Sequence, residues 1–306
     1  MAGFQLTPEV KMNPNLNGLR FVDDYYSYFA TRSEAESALA ELHRVGSYFA
    51  VEINPLKTMI RELPESLQPT WKSGLRSQLI RKDQERQDLL DFFSVALENA
   101  AKYPGNNVLK FAVKQSTGHD VSKDNWHLYE SFLLGSLVSE PSLAPTLAPI
   151  LTKYHGEGYP IEENKLLNSC AEVATYHAKL RQGFEVAWSL WLCKLFSLRL
   201  PEESLREISA VEDPVVALLA LDLRSAGLGD SLDPSMWLAH MKPEHLYSEY
   251  WLLAYEARVK GWLRTASGGN YVSNDDFFGT LSKNGVEFYD AGTREAALDS
   301  GWIEGY

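Results

Sequence analysis

Arg20-Phe21-Val22-Asp23-Asp24-Tyr25-Tyr26-Ser27-Tyr28-Phe29 sets two adjacent carboxylates between runs rich in aromatic and β-branched residues. Such runs favour strands, and a short polar break between them favours a hairpin turn. Neighbouring like charges repel, so an Asp-Asp pair at a hairpin tip costs free energy unless something positive offsets it. A divalent metal held by hard oxygen ligands is the usual solution. The flanks here are apolar on both sides, which a solvated cap does not require. Asp275-Asp276 differs: it follows Ser273-Asn274 in a polar, Gly-rich stretch and reads as a helix N-cap without chemistry.

Working outward, residues 32–45 have the pattern of an amphipathic helix. Ser33 is placed to cap it with Glu36 three residues on, the capping-box spacing. Ala35, Ala38, Leu39, Leu42 and Val45 then recur at helical intervals. Phe49-Ala50-Val51-Glu52-Ile53-Asn54-Pro55-Leu56-Lys57-Thr58 follows, and reads as a strand that ends at Asn-Pro.

This order resembles the palm of bacterial reverse transcriptases. There an aromatic-x-Asp-Asp hairpin is likewise followed by a helix and a strand closing on Leu/Ile-Asn-Pro-x-Lys-Thr. The likeness covers residues 19–64. It implies RNA-directed DNA polymerase chemistry, in which two metal ions about 3.5–4 Å apart clamp the attacking and leaving oxygens. By that resemblance Asp23 is the principal metal ligand, Asp24 supports it, and Lys57 lies near the triphosphate and helps protonate the leaving group. The implied metal is Mg2+, with Mn2+ as its substitute. The implied partners are an RNA template, a DNA primer or product, and dNTPs.

The chain also departs from the family. The ions need an aspartate from a strand well upstream, yet the residues before Asp23 hold no aspartate, and Glu9 is their sole acid. Nor is there room for a fingers subdomain. The expectation is therefore the C-terminal part of a polymerase, inactive without a separate N-terminal half. Family members usually carry glycine where this chain has Ala50; if that position needs positive φ, alanine costs about 1 kcal/mol there. Trp71-Lys72-Ser73-Gly74-Leu75-Arg76 is the nearest remnant of a primer-gripping segment.

With 306 residues, 45% hydrophobic and 23% charged, the chain has the composition of a globular protein able to bury a sizeable core. Net charge is −12, and all the excess lies in 115–306, because residues 1–114 carry 14 basic and 14 acidic side chains. That balance argues against a simple nucleic-acid clamp. Locally 57–86 turns basic, with Lys57, Arg61, Lys72, Arg76, Arg81, Lys82 and Arg86, where a template–primer backbone would need counter-charge. Cys170 and Cys193 lie in apolar stretches and read as buried thiols in a reducing compartment. Neither a signal peptide nor a membrane span is legible, so a cytoplasmic location without a membrane partner is expected.

From Asp83 the pattern becomes helical. Helices fit 124–138, 142–154, 161–181, 184–199, 202–209, 213–226 and 243–264, separated by short Pro- or Gly-containing breaks. Such spacing is typical of helical bundles and α-solenoids. No strict repeat period is present, and the layout resembles the helical-repeat C-terminal domain of some abortive-infection, antiviral-defence reverse transcriptases. Phe184, Trp188, Trp191 and Phe196 lie at helical spacing and read as core. Tyr247, Tyr250, Trp251 and Tyr255 read the same way, with base stacking beside Arg258, Lys260 and Arg264 as the alternative. His240 and His245 lack a second ligand pair. A short strand is expected at Val286–Tyr289.

The expected fold class is thus an α+β N-terminal part, a partial palm of β-hairpin, helix and strand, followed by a mainly α-helical bundle or solenoid-like domain. The expected divisions are an irregular lead-in at 1–18, the partial palm at 19–80, the helical domain at 81–265 and a polar tail at 266–306. Beside the polymerase reading stand two others: a non-catalytic helical scaffold, and a nucleic-acid-binding module derived from a truncated enzyme.

Overall fold

Thr31 and Glu34 exchange hydrogen bonds at the start of the first helix: Glu34 N–H donates to Thr31 Oγ1, and Thr31 N–H to Glu34 Oε2, both at 3.3 Å. This capping box satisfies two donors that a helix start leaves without partners. It sits two residues earlier than the expected Ser33–Glu36 box, because Thr31, and not Ser33, has the extended backbone a cap needs. The computed structural model describes residues 18–21, 24–55, 58–62, 70–264 and 269–293. The chain divides into two compact units, Met1–Gly74 and Leu75–Tyr306.

In the first unit, β1 (Gly18–Phe21) pairs antiparallel with β2 (Asp24–Ser27), in the register Gly18 to Ser27 and Phe21 to Asp24. The helix α1 (Arg32–Tyr48) follows. The expected strand over 49–58 is not there: among its described residues, Phe49 caps α1 and Val51–Asn54 are irregular. The cause is local. Val51 N–H turns back to Gly46 O and Ala50 N–H to Ser47 O, the pair of bonds that closes a helix with a left-handed residue. That residue is Ala50, at φ +53°. None of the residues of α1 is buried.

The helix α2 (Thr70–Ser77) spans the division between the units. Beyond it come α3 (Glu85–Lys102), α4 (Val108–Ser116), α5 (Trp126–Ser139), α6 (Ala144–Gly156), α7 (Glu163–Lys179), α8 (Gly183–Leu195), α9 (Glu202–Ile208) and α10 (Pro214–Ser225). Short α11 (Ser235–Leu238), a 3-10 turn at Pro243–Tyr247, α12 (Trp251–Val259) and α13 (Asp276–Lys283) complete the described elements. From α3 to α8 each helix packs on the helix two places along: α3 on α5, α4 on α6, and so on to α8 on α10. This is the neighbour pattern of stacked helical pairs.

The core between the helices holds Phe92, Tyr129, Leu133, Leu147, Leu190 and Val216, all essentially inaccessible. Buried polar tips find partners, as they must. Trp126 Nε1 donates to Pro160 O at 2.7 Å and Trp237 Nε1 to Val211 O at 2.9 Å. Cys170 and Cys193 are free and buried as expected; their mutual hydrogen bond, then burial, pushes the Cys170 thiol well up. Two expectations are corrected. Residues 243–264 are not one helix, since Ser248–Tyr250 separate the 3-10 turn from α12. Val286–Tyr289 is not a strand; no neighbouring strand pairs with it.

Candidate functional site

The hairpin that carries the Asp-Asp pair is present. Four residue pairs fix its register, and Asp24 opens β2 opposite Phe21. Asp23 and Lys57 lie outside the described residues. The flanking aromatics are solvent-facing: Tyr25 is 63% exposed, and Tyr26, Tyr28 and Phe29 are exposed as well. Carboxylates are hard oxygen donors of the kind Mg2+ takes, often one or two together with water and phosphate. Among the described residues no group of three or more His, Cys, Asp or Glu side chains is placed to hold a metal ion.

Part of the expected basic strip is already engaged. Arg81 grips Asp88 through two parallel bonds, Nε to Oδ2 at 2.9 Å and Nη2 to Oδ1 at 2.8 Å, so it braces the start of α3. These bonds hold the Asp88 carboxyl at about 2. Arg76 lies over the Phe111 ring and Lys72 beside Trp71. The Trp71–Arg76 stretch itself is helical, within α2.

Asp275 is the cap the sequence implied. Its carboxylate accepts from Phe277 N–H at 3.0 Å and Phe278 N–H at 2.8 Å, and also from the Tyr247 hydroxyl. His240 stacks on Tyr250 with ring centroids 3.7 Å apart, while His245 meets both rings edge-on. Burial, then the nearby His245, pushes His240 down. The aromatics of α8 are less buried than expected. Phe184 is exposed, and the core face of α8 is carried by Val186, Leu190 and Cys193.

Four buried charged groups, at three places, escaped the sequence reading. Lys194 Nζ pairs with Asp222 Oδ2 at 2.7 Å, and both side chains are almost wholly inaccessible. Glu256, fully buried on α12, accepts Phe288 N–H at 2.6 Å and Tyr289 N–H at 3.3 Å on one oxygen. Glu85, at the start of α3, accepts from Asn125 Nδ2 and His119 Nε2, each at 2.7 Å, and from the Ser122 hydroxyl and amide. Beside it lies an open hollow of about 880 Å³ lined by Lys82, Gln84, Arg86 and Asp120. A single charge inside an apolar run, as in Trp191-Leu192-Cys193-Lys194-Leu195, is the signal that could have flagged such groups.

Comparison with protein-family models, with curated proteins and with solved structures finds no match. No helix among the described residues is long and apolar enough to cross a membrane.

Proposed function

We propose that this chain supplies the metal-binding half of the palm of an RNA-directed DNA polymerase and that it works only with a complementary N-terminal half. The observation that carries this reading is the pairing of an Asp-Asp hairpin with a helix whose apolar face is only partly covered among the described residues. Ala35, Ala38 and Leu39 are only half-buried on α1, and Leu42 and Val45 are exposed. A helix with an apolar stripe stabilises a fold only when that stripe is buried against another layer. The left-handed Ala50 adds support, since it stands where the family carries glycine.

In this reading Asp23 and Asp24 hold Mg2+, and their carboxylates must stay ionised to do so. Of the two ions, one would lower the pKa of the primer hydroxyl and the other would neutralise charge on the triphosphate. Lys57 places a proton near the departing pyrophosphate. The RNA template and the DNA primer are the partners this reading implies.

A specific observation favours a second reading, a protein-binding helical scaffold. The helical unit has its own core, and the excess acid of the chain lies in 115–306.

Manganese binding by the chain, followed by electron paramagnetic resonance, tests the proposal. Weak binding, in the range of about 10⁻⁴–10⁻³ M expected of a few carboxylates, should vanish in Asp23→Asn/Asp24→Asn and persist in Asp275→Asn. Equal binding by all three proteins contradicts the assignment.

A further inference from the structure

Residues Val286–Tyr289 form a strap, bent at Phe288 and Tyr289, that is held by α8, α10 and α12, and the holding is one-sided. No strap residue is buried: Phe288 is 47% exposed and Glu287 is exposed as well. The groups that hold the strap are buried. Glu256, Tyr255, Lys194 and Asp222 are each between 0% and 4% exposed. Buried charge is costly unless it is fully hydrogen-bonded. Lys194 and Asp222 pair with each other, while Glu256 takes both hydrogen bonds on its Oε1 from this surface-lying segment.

Each hold reads a particular feature of that segment. Glu256 Oε1 receives two successive backbone N–H groups, which demands a bend that turns both to one side, as at Phe288 and Tyr289. The Tyr255 hydroxyl donates to Val286 O at 2.7 Å. Lys260 pairs with Glu287. The Phe288 ring stands edge-on to Trp251 and Tyr255, with centroids 5.1 and 5.4 Å away. The Tyr289 hydroxyl donates to Asp222 Oδ2 at 2.6 Å and accepts from Lys194 Nζ at 2.8 Å. Backbone hydrogen bonds together with side-chain pockets are how proteins read short peptides. Gly285, left-handed at φ +68°, closes α13 just before the strap and gives it a pivot.

We infer that the surface formed by α8, α10 and α12 is a peptide-recognition groove, filled here by the chain's own strap. Its ligand in trans is a bent segment of the form apolar–acidic–Phe–Tyr, carried by a protein partner. The tethered strap competes at the high effective concentration of an intramolecular ligand. A partner gains access when the strap lifts away about Gly285.

The test uses the full chain with Phe288→Ala/Tyr289→Ala, which weakens the strap and leaves every groove residue intact. A fluorescent peptide of sequence Lys-Asn-Gly-Val-Glu-Phe-Tyr-Asp-Ala is titrated and followed by anisotropy. The strap variant should bind it at least about tenfold more tightly than the unaltered chain, the effect expected on removing a competing anchor. A peptide with Glu replaced by Lys should bind about tenfold more weakly. The proposal is overturned if the strap variant keeps its circular dichroism and fails to bind the peptide. It is equally overturned if that variant loses its fold, since the strap would then be core and not ligand.

Discussion

Val51 N–H bonds Gly46 O at 2.9 Å across Ala50, whose φ of +53° makes the reversal. The relationship sets the end of α1. Ala50→Gly should stabilise α1 by about 1 kcal/mol, because an L side chain is strained in the left-handed region and glycine is not. Gly46→Ala should do the reverse: a methyl there would lie 2.8 Å from Val51 O. Hydrogen exchange of the α1 amides measures both, with slower exchange for the first and faster for the second.

Leu42 is 49% exposed on the partly covered face of α1. Leu42→Glu should change the chain's own stability by less than about 0.5 kcal/mol, as exposed substitutions do. It should abolish assembly with an N-terminal polymerase half. Denaturant unfolding and co-purification read these two effects separately.

Lys194 and Asp222 are a buried pair in which each offsets the other's charge. Lys194→Met should destabilise the helical unit by about 3–5 kcal/mol, since it strands a buried carboxylate. Lys194→Met/Asp222→Leu should recover much of that loss, because no lone charge remains. Urea midpoints of the three proteins check the order.

Glu85 gives the helical unit an acid sensitivity. Burial pushes its carboxyl up, but hydrogen bonds from Asn125, Ser122 and His119 outweigh burial and lower it from 4.5 to about 2. The folded state therefore holds the proton less well than the unfolded chain. The resulting stability is complete above pH 4.5 and is lost as pH falls towards 2. At about 1.4 kcal/mol per unit, the contribution is roughly 3 kcal/mol. Glu85→Gln should flatten stability over that window, as measured by denaturant midpoints at stepped pH.

How far the sequence carried the account depends on the range of each interaction. The hairpin, α1 and the Asp275 cap were legible because strand, helix and cap signals lie within a few residues of each other. Helices from α5 to α10 were legible for the same reason, in their apolar periodicity and Pro or Gly breaks. The strand expected after Phe49 failed because β-branched and aromatic residues make a strand only when a neighbour pairs with them. Here the backbone closes α1 through Ala50 instead. The Lys194–Tyr289 contact joins residues 95 apart in sequence, and no local pattern announces it. Of the candidate site, the residue types at Asp23, Asp24 and Lys57 were readable, whereas no third acidic ligand has a local signal beside them.

The most direct test is dNTP incorporation on a DNA-primed RNA template with Mg2+ present. It uses the chain co-expressed with the polypeptide encoded immediately upstream. The account predicts incorporation by the pair and none by this chain alone. Asp23→Asn should abolish the activity, while Asp275→Asn leaves it intact. Incorporation that is indifferent to Asp23→Asn, or a pair that never incorporates although it assembles, would contradict the account and leave the helical scaffold as the better reading.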